Sequence, residues 1–305
     1  MMTPQHTSKL VHQSSLDICQ TPDGPPAQLM KPRQVSRRDR KTAPTVEAAL
    51  LVLSSDSLKG DRLPCITTAV RQGEFIHQAL VSILNRQLGV RDCRSLIGRD
   101  ARGHKLQQGH QHAHYFSIDL DDDRRIDHVL VYAPAGLDAN AQRAITRLRR
   151  TWTKASYTDT LVTCAGFGDL NLFRRQLRYR GGRPVAIVPP QPACVWTSYT
   201  PYVPPRHLKP KNSRYTLADD VRRELALRGL PVPVEIEVFQ QQGQDNKRQP
   251  PDQDLVKFVR TRIDSKPQPP KPWAFGVRVV FNEPQPGPIA IGYGCHFGLG
   301  LFAAE

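Results

Sequence analysis

Long apolar runs, paired cysteines and acidic charge are what this sequence is short of, and each shortage excludes something. No stretch of eighteen apolar residues occurs, so no segment is expected to span a membrane. The polar N-terminus lacks the apolar core of a secretory signal. The six cysteines (Cys19, Cys65, Cys93, Cys164, Cys194 and Cys295) include no CxxC pair. A zinc ribbon or disulfide framework is therefore not expected, and reduced thiols in a cytoplasmic protein are. Aspartate and glutamate total 28 against 43 lysines and arginines, a net charge of +15. That imbalance suits a polyanionic partner, because cations placed near phosphates release condensed counterions. The plainer reading is a basic surface with no partner.

The 305 residues suffice for about two domains. Residues 1–45 are rich in Gln, Ser, Pro and basic side chains, end near Arg37-Arg38-Asp39-Arg40-Lys41, and show no apolar periodicity. They read as a disordered basic segment. A first α+β domain is expected over 46–190. Val70 to Leu84 has helical spacing, with Phe75, Ala79 and Ile83 on one face and Ile76, Leu80 and Leu84 beside it. Ala113–Ile118 and Ile126–Ala133 read as strands split by an acidic turn. Asp138 is placed to cap a helix carrying Ala141, Ile145, Leu148 and Trp152. Thr158–Ala165 reads as the next strand.

A second domain is expected over 191–305. Its strands are Cys194–Val203, Val234–Phe239 and Phe275–Phe281, with a last one starting at Pro288–Ile291. Between the first two lies a helix with the capping box Thr216-Leu-Ala-Asp219 and a terminating Gly229 before Pro231. The expected fold class is α+β: tandem ferredoxin-like, or RRM-like, domains with a C-terminal glycine-rich loop.

That loop is Gly287-Pro-Ile-Ala-Ile-Gly-Tyr-Gly-Cys-His-Phe-Gly-Leu-Gly-Leu-Phe302. Its glycines allow close backbone approach, and successive N–H groups can cradle an anion. Tyr293, His296 and Phe297 among them could stack on bases. The competing reading is a glycine-rich segment packed on the protein's own helix. Three further blocks are Gly109-His-Gln-His-Ala-His-Tyr115, Asp121-Asp-Asp-Arg-Arg-Ile-Asp-His-Val129 and Ser198-Tyr-Thr-Pro-Tyr-Val-Pro-Pro-Arg-His207. With the glycine-rich end, they resemble the CRISPR-associated RAMP superfamily. Within it they resemble the subtype I-U (renamed I-G) fusion of a Cascade backbone subunit with a CRISPR-RNA-processing endonuclease. The similarity runs from about Val46 to the end, and the backbone half has no clear counterpart.

The resemblance implies tandem RRM-like domains that cut precursor CRISPR RNA at the repeat hairpin and retain the product. The implied partners are CRISPR RNA and other subunits of a type I interference complex. The alternatives are a non-catalytic RNA-binding subunit and a metal-dependent hydrolase built on the histidines.

Cleavage of this kind needs a base for the ribose 2′-OH, an acid for the leaving 5′-oxygen, and no cofactor or metal. Histidine suits both roles. His110, His112 and His114 alternate, which on a strand places them on one face. His112 or His114 is the expected acid or base, with His128 assisting from across the acidic turn. His-x-His-x-His also invites zinc. The turn Asp119-x-Asp121-x-Asp123 lacks the Gly and Glu of a calcium loop and reads as a solvated hairpin. For RNA contact the candidates are Arg143, Arg147 and Arg150 on one helix face, and Arg174, Arg175 and Arg178 near Gly181-Gly182. Arg206, His207, Gly292, Gly294, His296, Gly298 and Gly300 complete the set. On this reading the glycine-rich end grips the phosphate backbone, far from the proton transfer at His110–His128.

Overall fold

A computed structural model describes residues 45–55, 63–100, 102, 104, 110–151, 160–208, 215–241, 255–263 and 266–305. The basic N-terminal segment, Trp152 and the polar stretch from 242 to 254 fall outside the described residues. Among those described, no helix is long and apolar enough to cross a membrane.

Two antiparallel sheets organise the chain. The first contains β1 (Ala48–Ser55), β2 (His114–Ile118), β3 (His128–Tyr132), β4 (Arg150–Thr151) and β5 (Thr160–Gly168), in the order β2-β3-β1-β5-β4. The second contains β6 (Ala193–Ser198), β7 (Glu235–Gln241), β8 (Phe275–Gln285) and β9 (Phe302–Ala304), in the order β7-β8-β6-β9. In both, the first strand lies between the third main strand and the last. This mixed helix-and-sheet architecture agrees with the α+β expectation.

Helix α1 (Ala69–Gln87) buries Ile76, Leu80, Ile83 and Leu84. These pack with Leu51, Tyr115, Val129 and Val131 of the first sheet and with Ala141 and Ile145 of α3 (Ala139–Arg147). Asp138 caps α3 by accepting from Asn140 and Ala141 N–H groups. Phe116, Ile118 and Leu130 face the other way, against Val185, Ile187, Ala290, Cys295 and Leu301. Strand β2 is thus buried on both faces. His114 alternates with Phe116 and Ile118 and shares their face.

In the second sheet Trp196, Val277 and Val279 bury Val221 and Leu225 of α5 (Leu217–Ala226). The capping box at Thr216 and Asp219 forms, and Gly229 has the positive φ of a helix stop. Helix α4 (Leu170–Gln176), capped by Asp169, was not read from the sequence.

One strand assignment is corrected. Residues 288–291 do not start the final strand, and only an isolated bridge joins Ala290 to Leu301. The last strand, β9, follows the glycine-rich segment. Between β8 and β9 there is no α-helix, only a loop with one 3-10 turn at Cys295–Phe297.

Candidate functional site

The loop after β8 returns across the first sheet and lays His296 among the three alternating histidines. Its ring stacks on His112 with centroids 3.9 Å apart and on His114 at 4.0 Å. His296 Nε2 lies 3.0 Å from His110 Nδ1, and its Nδ1 lies 3.1 Å from the Ala113 carbonyl. The glycine-rich end and the histidine cluster, expected to be distant, form one site.

The clustering does not arise as the sequence suggested. His110 and His112 precede β2 and are not on a strand. His110 has φ +65°, a turn conformation, and only His114 belongs to the strand. His112 is seated by a close approach. Gly98 ends the short helix α2 (Arg94–Ile97) in the left-handed region, and a Cβ there would meet the His112 ring at 2.6 Å.

Burial is the main influence on every one of these rings. It depresses His110 and His112 to about 4 and His114 to about 3, and holds His296 well below the ordinary value. Neighbouring histidines reinforce the effect at His112, His114 and His296, and the Arg228 charge does so at His110. The cluster is therefore neutral near pH 7, and the tautomers follow. The Ala113 carbonyl only accepts, so His296 Nδ1 donates to it. His296 Nε2 then offers a lone pair, and His110 Nδ1 donates to that. His110 Nε2 is left as an acceptor without a partner among the described residues.

Two cavities meet at His110. One, about 580 Å³, is lined by His77, His110, His112, Arg262, Lys266 and the 292–297 loop, with Arg99 at its margin. The other, about 250 Å³, is lined by His110, His114, Tyr132, Arg174, Arg228 and residues 286–290. Arg174 donates to the Gly287 carbonyl, yet its Nε is buried without a hydrogen-bond partner among the described residues. Arg262 pairs with Glu74 at 2.6 Å and lies over the Phe297 ring at 4.2 Å. The presence of Arg228, Arg262, Lys266 and His77 around the site had no sequence signal, because each is brought in by tertiary packing.

Several expected site residues are placed elsewhere. His114 is buried, and its two ring nitrogens face the Cys295 and His110 carbonyls at 3.3 and 3.2 Å. His128 pairs in register with Ile118, whereas His114 pairs with Tyr132 at the other end of β2. Its Nδ1 is held by Asp127 at 2.9 Å, so it does not approach the cluster. Asp119 is buried rather than solvated. Its carboxylate accepts from Asp123 and Arg124 N–H groups, and burial raises it to about 6.

Arg206 spans Asp220 and Glu224, each at 2.7 Å, and His207 is exposed. Arg143 and Arg147 are exposed on α3, and Arg150 is exposed on β4. None of the three lines either cavity. Arg175 is exposed on α4, and Arg178 folds back onto the Arg174 and Leu177 carbonyls.

Gly292, Gly298 and Gly300 are buried, and Gly294 is half-buried. The Gly292 N–H donates to the Glu224 carboxylate and the Gly300 N–H to the Pro201 carbonyl. Those two amides serve the protein's own acceptors rather than an external anion. At Gly300 a Cβ would sit 1.8 Å from the Ile291 carbonyl oxygen.

No family model matches the chain, and no curated protein does. Among solved structures it is similar to one described as "An RAMP protein binding different RNA substrates", with 12% identity, a TM-score of 0.34, and coverage of 85% of this chain and 98% of that one. It is also similar to the product of a Cas6-related gene from Pyrococcus furiosus, with 9% identity, a TM-score of 0.36, and coverage of 84% and 97%. A third is the CRISPR RNA processing endoribonuclease Cas6b, with 10% identity, a TM-score of 0.30, and coverage of 84% and 98%.

Proposed function

We propose that this protein binds RNA along the groove at its histidine cluster and cuts it by attack of a ribose 2′-OH on the adjacent phosphorus. The observation that carries this reading is the relay from the Ala113 carbonyl through His296 to His110. It fixes a neutral imidazole with an available Nε2 at the junction of two cavities. His110 removes the 2′-OH proton, the 2′-oxygen bonds to phosphorus, and the 5′-oxygen leaves. His112, which lines the same cavity, protonates it. His112 is neutral in the free protein, and the bound phosphodiester's negative charge favours the imidazolium form that gives this proton. Lys266 and Arg174 offset charge on the phosphorane. The products are a 2′,3′-cyclic phosphate and a 5′-hydroxyl.

This assignment moves the base from the expected His112 or His114 to His110. His114 becomes a positioning residue, since both of its ring nitrogens face carbonyls. The RNA-binding set contracts towards Arg174, His296 and the cations of the larger cavity.

The finer reading is maturation of CRISPR RNA at its repeat hairpin, with the product retained for other subunits of an interference complex. It rests on the four sequence blocks. Its architecture is two ferredoxin-like halves, the second with the glycine-rich segment standing where a second helix would run. Incubation of the full chain with hairpin repeat RNA in EDTA tests it. A cut leaving a cyclic phosphate is expected. Tight binding without a cut, unchanged by His110→Ala, would leave an RNA-binding subunit instead.

A further inference from the structure

The zinc that the alternating histidines invite would need all three on one strand, but the fold instead converges a different set of donors. His110, Cys295 and His296 each offer a ligand atom within 4.8 Å of the other two. His110 Nδ1 lies 3.0 Å from His296 Nε2 and 3.9 Å from Cys295 Sγ. A tetrahedral zinc ion sets nitrogens about 3.3 Å apart and nitrogen and sulfur about 3.5 Å apart. Shifts of a few tenths of an ångström bring these two separations to that geometry, and the third lies within the same 4.8 Å.

From this we infer that the three side chains form a site for a thiophilic divalent cation, zinc above all, at the junction of the two cavities.

Three further features fit. The His296 Nδ1–H donates to the Ala113 carbonyl, the outer hydrogen bond that aims a ligating Nε2 at a metal. Arg228 donates to Cys295 Sγ at 3.2 Å, and its own charge is paired with Glu224 at 3.0 Å. A guanidinium there stabilises the thiolate that a metal requires. Finally, His110, Cys295 and His296 all line the 580 Å³ cavity. That gives an entry path and leaves a fourth coordination position for water. His114 is not a fourth ligand, because its nitrogens face carbonyls.

Binding rearranges protons in a defined way. The metal takes the His110 Nδ1 lone pair, so that proton moves to Nε2. The Cys295 thiol loses its proton to solvent as sulfur bonds the metal. His110 then presents N–H where it had offered a lone pair. On the cleavage reading, which this consequence rests on, zinc switches the base off.

Cobalt(II) titration of the metal-free full chain is the test. Near-stoichiometric binding is expected, with a sulfur-to-cobalt charge-transfer band and tetrahedral visible bands, all displaced by zinc. Cys295→Ser should abolish the charge-transfer band, and His110→Ala should weaken binding by at least about 10-fold, since losing a ligand costs no less than losing an outer-shell partner. His110 lies in a half-buried turn, so its variant tests the site if Cys295→Ser does not fold. No sulfur band in the wild type, or a band that survives in a folded Cys295→Ser protein, overturns the site. A chain that cuts RNA but binds no cobalt overturns only the metal site. A chain that binds cobalt through sulfur but cuts no RNA overturns only the cleavage reading.

Discussion

His110 Nδ1 and His296 Nε2 meet at 3.0 Å although 186 positions separate them in the chain. One consequence is a ranking of the histidines. His110→Ala should lower RNA cleavage by about 10²–10⁴-fold, the usual worth of a general base. His128→Ala should leave the rate within about twofold, because His128 sits on Asp127 at the other end of β2. Single-turnover cleavage of the two variants decides it. Equal losses would sink the assignment.

The pH dependence follows from burial. His110 and His112 are held to about 4, below the ordinary 6.5. The base limb of the cleavage profile should therefore fall with a midpoint near pH 4. The sign for stability is the same. A histidine depressed on folding binds fewer protons folded than unfolded between those values, so its contribution is complete above pH 6.5 and lost as pH falls towards 4. Each ring is worth on the order of 1–3 kcal/mol in that window. Denaturant titrations at pH 7 and pH 4.5 should show the drop, smaller in His112→Gln. A flat stability profile across that range would contradict the burial argument.

Two glycines should behave differently. Gly300→Ala places Cβ on the Ile291 carbonyl oxygen and at positive φ, and should destabilise by about 2–4 kcal/mol. Gly98→Ala drives Cβ into the His112 ring. It should reduce cleavage by more than its modest effect on melting temperature explains. A Gly98→Ala protein with full activity would show that the position of His112 is immaterial.

The arginines separate in the same manner. Arg206→Ala leaves the buried Asp220 carboxylate without its cation and should cost about 3–5 kcal/mol. The salt dependence of RNA affinity should stay as it was. Arg174→Ala should lower affinity and reduce the salt slope by about 1, the signature of one lost phosphate contact. An unchanged slope would remove Arg174 from the interface.

What the sequence disclosed, and what it hid, follows from the range of each interaction. The α1 face, the Asp138 cap, the Thr216–Asp219 box and the Gly229 stop are local signals spanning a few residues, and all are present. The histidine alternation drew attention to the segment where the rings do gather, but a turn and not a strand face gathers His110 and His112. The company of His296 and Arg262 depends on contacts across more than a hundred residues, and that of Arg228 on one across 67. No periodicity encodes those. Arg206 and the buried glycines misled because an internal carboxylate, or a packed carbonyl, asks for the same residue types as a phosphate.

The helix-free passage from β8 to β9 has one more implication. It leaves the second sheet, deposits His296 beside residues of the first, and returns to pair with β6. Neither half of the chain therefore holds a complete site. Severed between β5 and β6, the N-terminal fragment would keep His110 without the ring that orients it, and the C-terminal fragment would keep the orienting ring with nothing to orient. Chemistry at this site is a property of the reunited pair, so two inert fragments should regain it only in proportion to how tightly they reassociate.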